Sequence, residues 1–226
     1  MGLEAPPEDQ RCWNCCQPEA VYRCLDCTIG QRLLCGTCCH LVHQKLPFHK
    51  IKVWTGTFFA KADLGDLGLT INLGHDGDIC PVHIPVDPGM KMREQKEDES
   101  VWVDEEYNVD KDADWQFGPN STGFQEYVLF VDSSGVYKRE VKWCLCPTAA
   151  PLHLQLLQMQ FYPASLSRPS TAFTFSVLDQ FYIEAMEYKT TALKFYTKLR
   201  RFTNNSFPDS VPVCAQYLDS TESHYE

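Results

Sequence analysis

Apolar and polar positions alternate over two stretches of the chain. Around Ile51 and Val53 the alternation predicts a short strand that leads into a bulky aromatic group, Trp54, Phe58 and Phe59. A longer alternation runs from Tyr127 to Val131, breaks at Asp-Ser-Ser-Gly, and resumes through Val136, Val141 and Trp143, which predicts a β-hairpin. Gly65, Gly68, Gly74 and Gly77 punctuate the region between with short strands and turns. From Pro151 the period becomes helical. Leu152, Leu156, Leu157 and Phe161 predict a short helix that stops before Pro163. Val177, Leu178, Phe181 and Tyr182, then Leu193, Tyr196 and Leu199, predict two more helices, with Thr190 or Thr191 as the N-cap between them. The fold class is therefore α+β, a strand-rich centre followed by a C-terminal helical pair.

With 226 residues and 44% hydrophobic content the chain buries a real core in one or two domains. The formal net charge of −10 argues against a uniformly basic nucleic-acid binder, but its distribution changes that picture. Residues 94–114 hold ten acids against two lysines, whereas residues 11–52 hold six basic residues against two acids. The acidic stretch, residues 91–120, offers only Trp102, Tyr107 and Trp115 for burial and reads as an insertion or surface loop. It is either a solvated negative loop or an internal mimic of nucleic acid that covers a basic surface. No run of apolar residues is long enough for a signal peptide or a membrane span, so an intracellular, soluble chain without a membrane partner is expected.

The cysteines set the chemistry. Residues 12–49 contain eight of the twelve cysteines and three of the seven histidines. Three Cys-x-x-Cys pairs stand in a row, Cys12/Cys15, Cys24/Cys27 and Cys35/Cys38, followed by His43 and His49. Two intervening residues let one tight turn aim both thiolates at a single ion, as structural zinc requires. Four pairs make two tetrahedral sites. A disulfide framework is the competing reading, disfavoured by the histidine pair and by the lack of an export signal.

The order of the pairs resembles the B-box, a small cross-braced zinc fold. That resemblance implies one ion on Cys12, Cys15, Cys35 and Cys38 and a second on Cys24, Cys27, His43 and His49. Interleaved ions would clamp distant parts of a segment too small to fold on its apolar core alone. Cys16, Cys39 and His40 adjoin these positions and could replace a ligand, pack as small buried groups or remain free. Further on, Cys144 and Cys146 alternate at the end of the second hairpin strand and so face the same way. With Cys80 and one histidine they complete a third site. His75 is preferred to His83 because the Gly-rich turn after it lets the side chains converge. Three zinc ions per chain are expected.

The residues also carry a wider likeness. The runs YRCLDC, LLCGTCCHLVHQKLPFHKIKVWTGTFF, LGLTINLGHDGDICP, the hairpin ending in CLC, and LLQMQFYPASLSRPSTAFTFSVLDQF resemble the CxC-type cysteine-cluster domain of the Kyakuja-Dileera-Zisupton (KDZ) transposases of fungi, across residues 11–203. The resemblance implies zinc, nuclear residence and recruitment of a transposase to DNA or chromatin. The ribonuclease-H-like catalytic domain of larger family members has no counterpart here, and a truncated or domesticated derivative is expected. Asp104, Glu105, Glu106, Asp110 and Asp112 are acidic enough for magnesium but occupy a predicted loop without a strand scaffold. No catalytic residue and no small-molecule substrate are assigned.

The expected organisation is an N-terminal segment 1–10, a double-zinc module 11–53, a strand-rich zinc region 54–150 containing the insertion, a helical region 151–203 and a disordered tail 204–226. The expected function is a non-catalytic DNA- or chromatin-targeting module, with Arg23, Arg32, Lys45, Lys50 and Lys52 on phosphates. A B-box-like protein-interaction module is the alternative, and part of a catalytic transposase or nuclease is the third. Lys189, Lys194, Lys198, Arg200 and Arg201 give the last helix a basic face, read as the solvated side of a helical hairpin rather than as a helix-turn-helix.

Overall fold

The computed structural model describes residues 10–28, 30, 32–81 and 127–212. His83, the acidic stretch and its Asp and Glu residues lie outside the described residues. The fold is α+β, with four helices and two sheets among the described residues.

The first sheet is a three-stranded antiparallel meander, β1 (Tyr22–Cys24), β2 (Ile51–Trp54) and β3 (Phe59–Ala62), in that order. Between β1 and β2 lies helix α1 (Gly36–His43), whose N-cap is Cys35. Gly56, at φ +97°, lies in the four-residue connection from Thr55 to Phe58 that joins β2 to β3 and is closed by Thr55 N donating to the Phe58 carbonyl at 3.0 Å. The inward residues Cys24 and Ile51 pack with Leu34, Cys39, Leu64 and Leu69, so this core extends past the expected boundary at residue 53.

The second sheet has five strands in the order β4-β6-β5-β8-β7. The predicted hairpin is β5 (Tyr127–Asp132) and β6 (Gly135–Lys142), joined by Ser133 and Ser134. The strand β4 (Thr70–Asn72) lies parallel to β6. Helix α2 (Leu152–Gln158) ends one turn earlier than the sequence suggests. Gln160 adopts φ +63°, which is incompatible with helix, and Phe161 begins the strand β7 (Phe161–Pro163). β8 (Thr171–Thr174) then pairs antiparallel with β7 and parallel with β5. The region 151–203 therefore supplies two strands as well as helices.

Two apolar layers cover the sheet. Val128, Phe130, Val141, Trp143, Leu156 and Phe161 form one, and Val131, Phe173, Val177, Phe195, Tyr196 and Leu199 form the other. The second is closed by α3 (Phe175–Tyr188) and α4 (Ala192–Thr203), whose N-caps Thr174 and Thr191 accept from Val177 N and Lys194 N. The charged face of α4 is less open than its sequence suggests. Lys198 pairs with Glu184 on α3, and Arg200 pairs with Asp209 at 3.0 Å. Residues 204–212 lie against α4. Val211 is buried and the Tyr196 hydroxyl donates to the Pro212 carbonyl at 2.7 Å.

The two sheets are joined through one buried cation. Arg139 on β6, 1% exposed, donates from Nε to the Pro47 carbonyl at 2.9 Å and from Nη1 to Asp63 at 2.7 Å. Beside it Phe48 inserts into the sheet core against Phe130, Tyr137 and Phe161. Pro47 and Phe48 immediately precede His49, so the second sheet grips the loop that carries that imidazole.

Candidate metal centres

Each Cys-x-x-Cys pair is placed by its local turn. Cys24 ends β1, and the backbone N–H of Cys27 folds back onto the Cys24 Sγ at 3.3 Å. Cys35 caps α1, and the N–H of Cys38 donates to its Sγ at 3.5 Å. The first pair closes a turn in which Cys16 N donates to the Cys12 carbonyl at 2.8 Å. In each case two residues bring the sulfurs together through local geometry.

The pairs then converge in three groups: Cys12, Cys15, Cys35 and Cys38; Cys24, Cys27, His43 and His49; and His75, Cys80, Cys144 and Cys146. Within every group the ligand atoms lie within 4.8 Å of one another. Two sulfurs on one tetrahedral zinc stand about 3.8 Å apart, and a sulfur and a nitrogen about 3.6 Å, given bonds of about 2.3 and 2.05 Å. The Cys15 and Cys35 sulfurs are 3.8 Å apart, Cys80 and Cys144 3.9 Å, and Cys80 and Cys146 3.6 Å. In the second group Cys27 Sγ is 3.4 Å from His43 Nε2 and 3.3 Å from His49 Nδ1, and Cys24 Sγ is 3.5 Å from that same Nδ1. In the third, His75 Nε2 is 3.2 Å from Cys144 Sγ and 3.4 Å from Cys146 Sγ. A disulfide needs about 2.05 Å, so these sulfurs are spaced for a shared ion. No disulfide joins the eleven cysteines among the described residues.

The surroundings favour ligation. His43, fully buried, lies with Nδ1 2.7 Å from the Cys39 carbonyl, which fixes the N–H on Nδ1 and turns Nε2 toward the sulfurs. Cys39, which is buried, and Cys16, which is exposed, lie outside all three groups. In the third group the backbone of Cys144 is held by Gln155, whose Oε1 accepts from Cys144 N at 2.8 Å while Nε2 donates to Cys144 O at 3.1 Å. Gln155 is 1% exposed on an otherwise apolar helix stripe, a signal visible in the sequence but not read there. Gly74, at φ +82°, lies so close that an added Cβ would stand 2.7 Å from the Cys144 Cβ.

Protons are held unequally among these sulfurs. Burial would raise the Cys12 thiol, but N–H groups of Cys35, Cys15 and Asn14 outweigh it and bring it down to about 6. For Cys24 burial likewise raises, and His43 with the N–H groups of Asp26 and Cys27 lowers it to about 6. Asn14 lowers Cys38, yet burial and the neighbouring Cys15, Cys35 and Cys12 sulfurs push it up to about 12. Hydrogen bonding with Cys80 and Cys144 pushes Cys146 up to about 11. Burial lowers His43, but the Cys24 and Cys39 sulfurs and the Cys39 carbonyl raise it to about 11.

The basic residues divide. Arg23 and Lys52 are directly opposed across β1 and β2, and Lys50 stands just before β2. Register adds Lys61 on β3, directly opposite Lys52. Arg32 instead lies over the exposed Trp13 ring at 4.7 Å, and Lys45 is exposed beyond α1. No helix among the described residues is long and apolar enough to cross a membrane.

Residues 114–207 match the family described as CxC2 like cysteine cluster associated with KDZ transposases. The match takes in the hairpin, β7, β8 and all of α2 to α4, with Cys144 and Cys146, and ends short of the first two groups. The likeness seen in the sequence is thus met over its second half. No curated protein and no solved structure matches the chain.

Proposed function

We propose that the chain is a zinc-scaffolded, non-catalytic module that targets DNA or chromatin in the nucleus in association with a KDZ-type transposase. Three ions would be held, by Cys12, Cys15, Cys35 and Cys38, by Cys24, Cys27, His43 and His49, and by His75, Cys80, Cys144 and Cys146. The observation that carries this reading is that each group offers four protein ligands at tetrahedral separations. A quartet of that kind leaves no position for water or substrate, so the metal serves the fold. The first group would tie the N-terminal turn of Cys12 and Cys15 to the start of α1, and the second would tie β1 and the loop before β2 to its end. What is thereby held rigid is a locally basic surface on an acidic chain.

Elemental analysis of purified protein should give three zinc ions per chain, and two would remove the third group from the assignment. DNA binding by the zinc-loaded protein should weaken steeply between 50 and 200 mM salt, as contacts to several phosphates require. One feature favours the second reading, a protein-interaction module. Phe175, Tyr182, Ile183 and Met186 on α3 are 40 to 67% exposed, which is unusual for a helix face with no partner. Binding through that face would change little with salt.

A further inference from the structure

Register places residues on the outer face of the first sheet that sequence separation hides. Directly opposed residues of antiparallel strands share a face. Arg23, Lys52 and Lys61 therefore form one row across β1, β2 and β3, and Trp54 and Phe59 form the next. These five positions hold three cations, two aromatic rings and no acid, and of the rings Phe59 also packs against the first core. Like charges placed opposite each other destabilise a sheet, so this row is kept against its own repulsion. The rings are in contact with the cations and with each other: the Arg23 guanidinium sits 4.0 Å over Phe59, and Trp54 and Phe59 are 4.9 Å apart.

Two of Arg23's nitrogens, Nε and Nη2, are out of solvent with no hydrogen-bond partner. Stacking, not hydrogen bonding, holds this side chain in place. In the hairpin connection Phe58 is 61% exposed. At the other end α4 continues the strip. Lys61 Nζ donates to the Thr203 carbonyl at 2.6 Å, and Lys50 Nζ lies 5.9 Å from the ring of Phe202, itself 48% exposed. Cations and rings thus alternate along one strip on a chain of net charge −10.

We infer that this strip, from Phe58 across Lys52 and Lys61 to Phe202, binds single-stranded nucleic acid, with phosphates on the lysines and unpaired bases against the rings. The inference rests on the nucleic-acid reading above and narrows it. Exposed rings can stack only on bases whose faces are free, and a duplex hides those faces. A purely electrostatic duplex surface would need the lysines and no rings.

The test is fluorescence anisotropy of a labelled oligothymidine of about 15 nucleotides with zinc-loaded protein, against a random duplex of equal length. Phe58→Ala and Phe202→Ala change exposed rings, and Lys52→Gln removes one charge. Lys142→Gln, on an exposed side chain at the end of β6, is the off-strip control. Zinc content verifies that each variant is folded. Each ring variant should lower oligothymidine affinity about tenfold and leave duplex affinity unchanged, since one stacked base is commonly worth that much. Lys52→Gln should reduce the salt slope by about 0.7, the step for one lost phosphate on a single strand, and Lys142→Gln should not. If the protein binds the duplex but not the oligothymidine, or if both ring variants bind the oligothymidine within twofold of wild type, the strip is not a stacking surface and the broader reading stands. If neither nucleic acid binds at 50 mM salt, both fall.

Discussion

Replacing Arg139 by Met tests whether the second sheet supports the second metal group, because it cuts that link without touching a proposed ligand. The side chain is 1% exposed and donates to the Pro47 carbonyl at 2.9 Å and to Asp63 at 2.7 Å, the Nη1 of the second bond also reaching the adjacent Lys138 carbonyl at 3.0 Å. The first is a hydrogen bond from a charged donor inside the protein, worth about 2 kcal/mol. Asp63 is 44% exposed and rehydrates when released, so the second contributes about 1 kcal/mol or less. Against these stands Nη2, buried with no partner, whose removal returns about 1 kcal/mol. The net expectation is a loss of about 2 kcal/mol in urea unfolding, with the m-value unchanged. Because Pro47 and Phe48 lead directly into His49, one of the three proposed ions should leave for a chromophoric chelator about 30-fold faster, the equivalent of about 2 kcal/mol. Arg139→Lys should do no better than Met, since a single ammonium cannot reproduce the guanidinium fork that reaches both acceptors. Unchanged unfolding together with unchanged release of all three ions would refute the reasoning.

Gly74→Ala should remove the third ion alone, because alanine is strained at φ +82° and its Cβ would meet the Cys144 Cβ at 2.7 Å; elemental analysis should fall from three to two, with the other sites intact. Zinc loading at pH 7 should release protons, measurable with an indicator dye in weak buffer. Cys38 at about 12 and Cys146 at about 11 are protonated there and must ionise to bind metal. Affinity should therefore rise with pH, about tenfold per unit for each proton displaced, and an affinity flat from pH 6 to 8 would contradict it. Thr174→Ala should cost about 1 to 2 kcal/mol by urea unfolding. It removes both the N-cap bond to Val177 N at 3.3 Å and the bond to Asp132 at 2.9 Å, and Thr174→Ser should restore most of the loss.

What the sequence makes legible follows from how local each determinant is. The Cys-x-x-Cys turns are visible because two residues fix them, and the β5–β6 hairpin because alternation and its turn lie side by side. β7 and β8 are hidden for the opposite reason. Phe161 falls at a helical interval from Leu157, and nothing in the side chain of Gln160 announces its left-handed backbone. Thr174 is both the last residue of β8 and the N-cap of α3, so strand passes into helix without a break in apolar content. Charge shows the same division. A count over residues 11–52 finds a basic segment, but cannot place Lys61 opposite Lys52 or reveal that Lys198 and Arg200 are already answered by Glu184 and Asp209. Two of the four cations of α4 are engaged by acids within the fold, while those of the first sheet oppose one another without an acid on their row. That contrast, available only from register, narrows the expected basic surface to the sheet beside the first two groups and adds Lys61 to it. It also gives the proposed ions a role beyond stability. They would hold three like charges in one row, an arrangement that so small a sheet would not keep on its own hydrogen bonds.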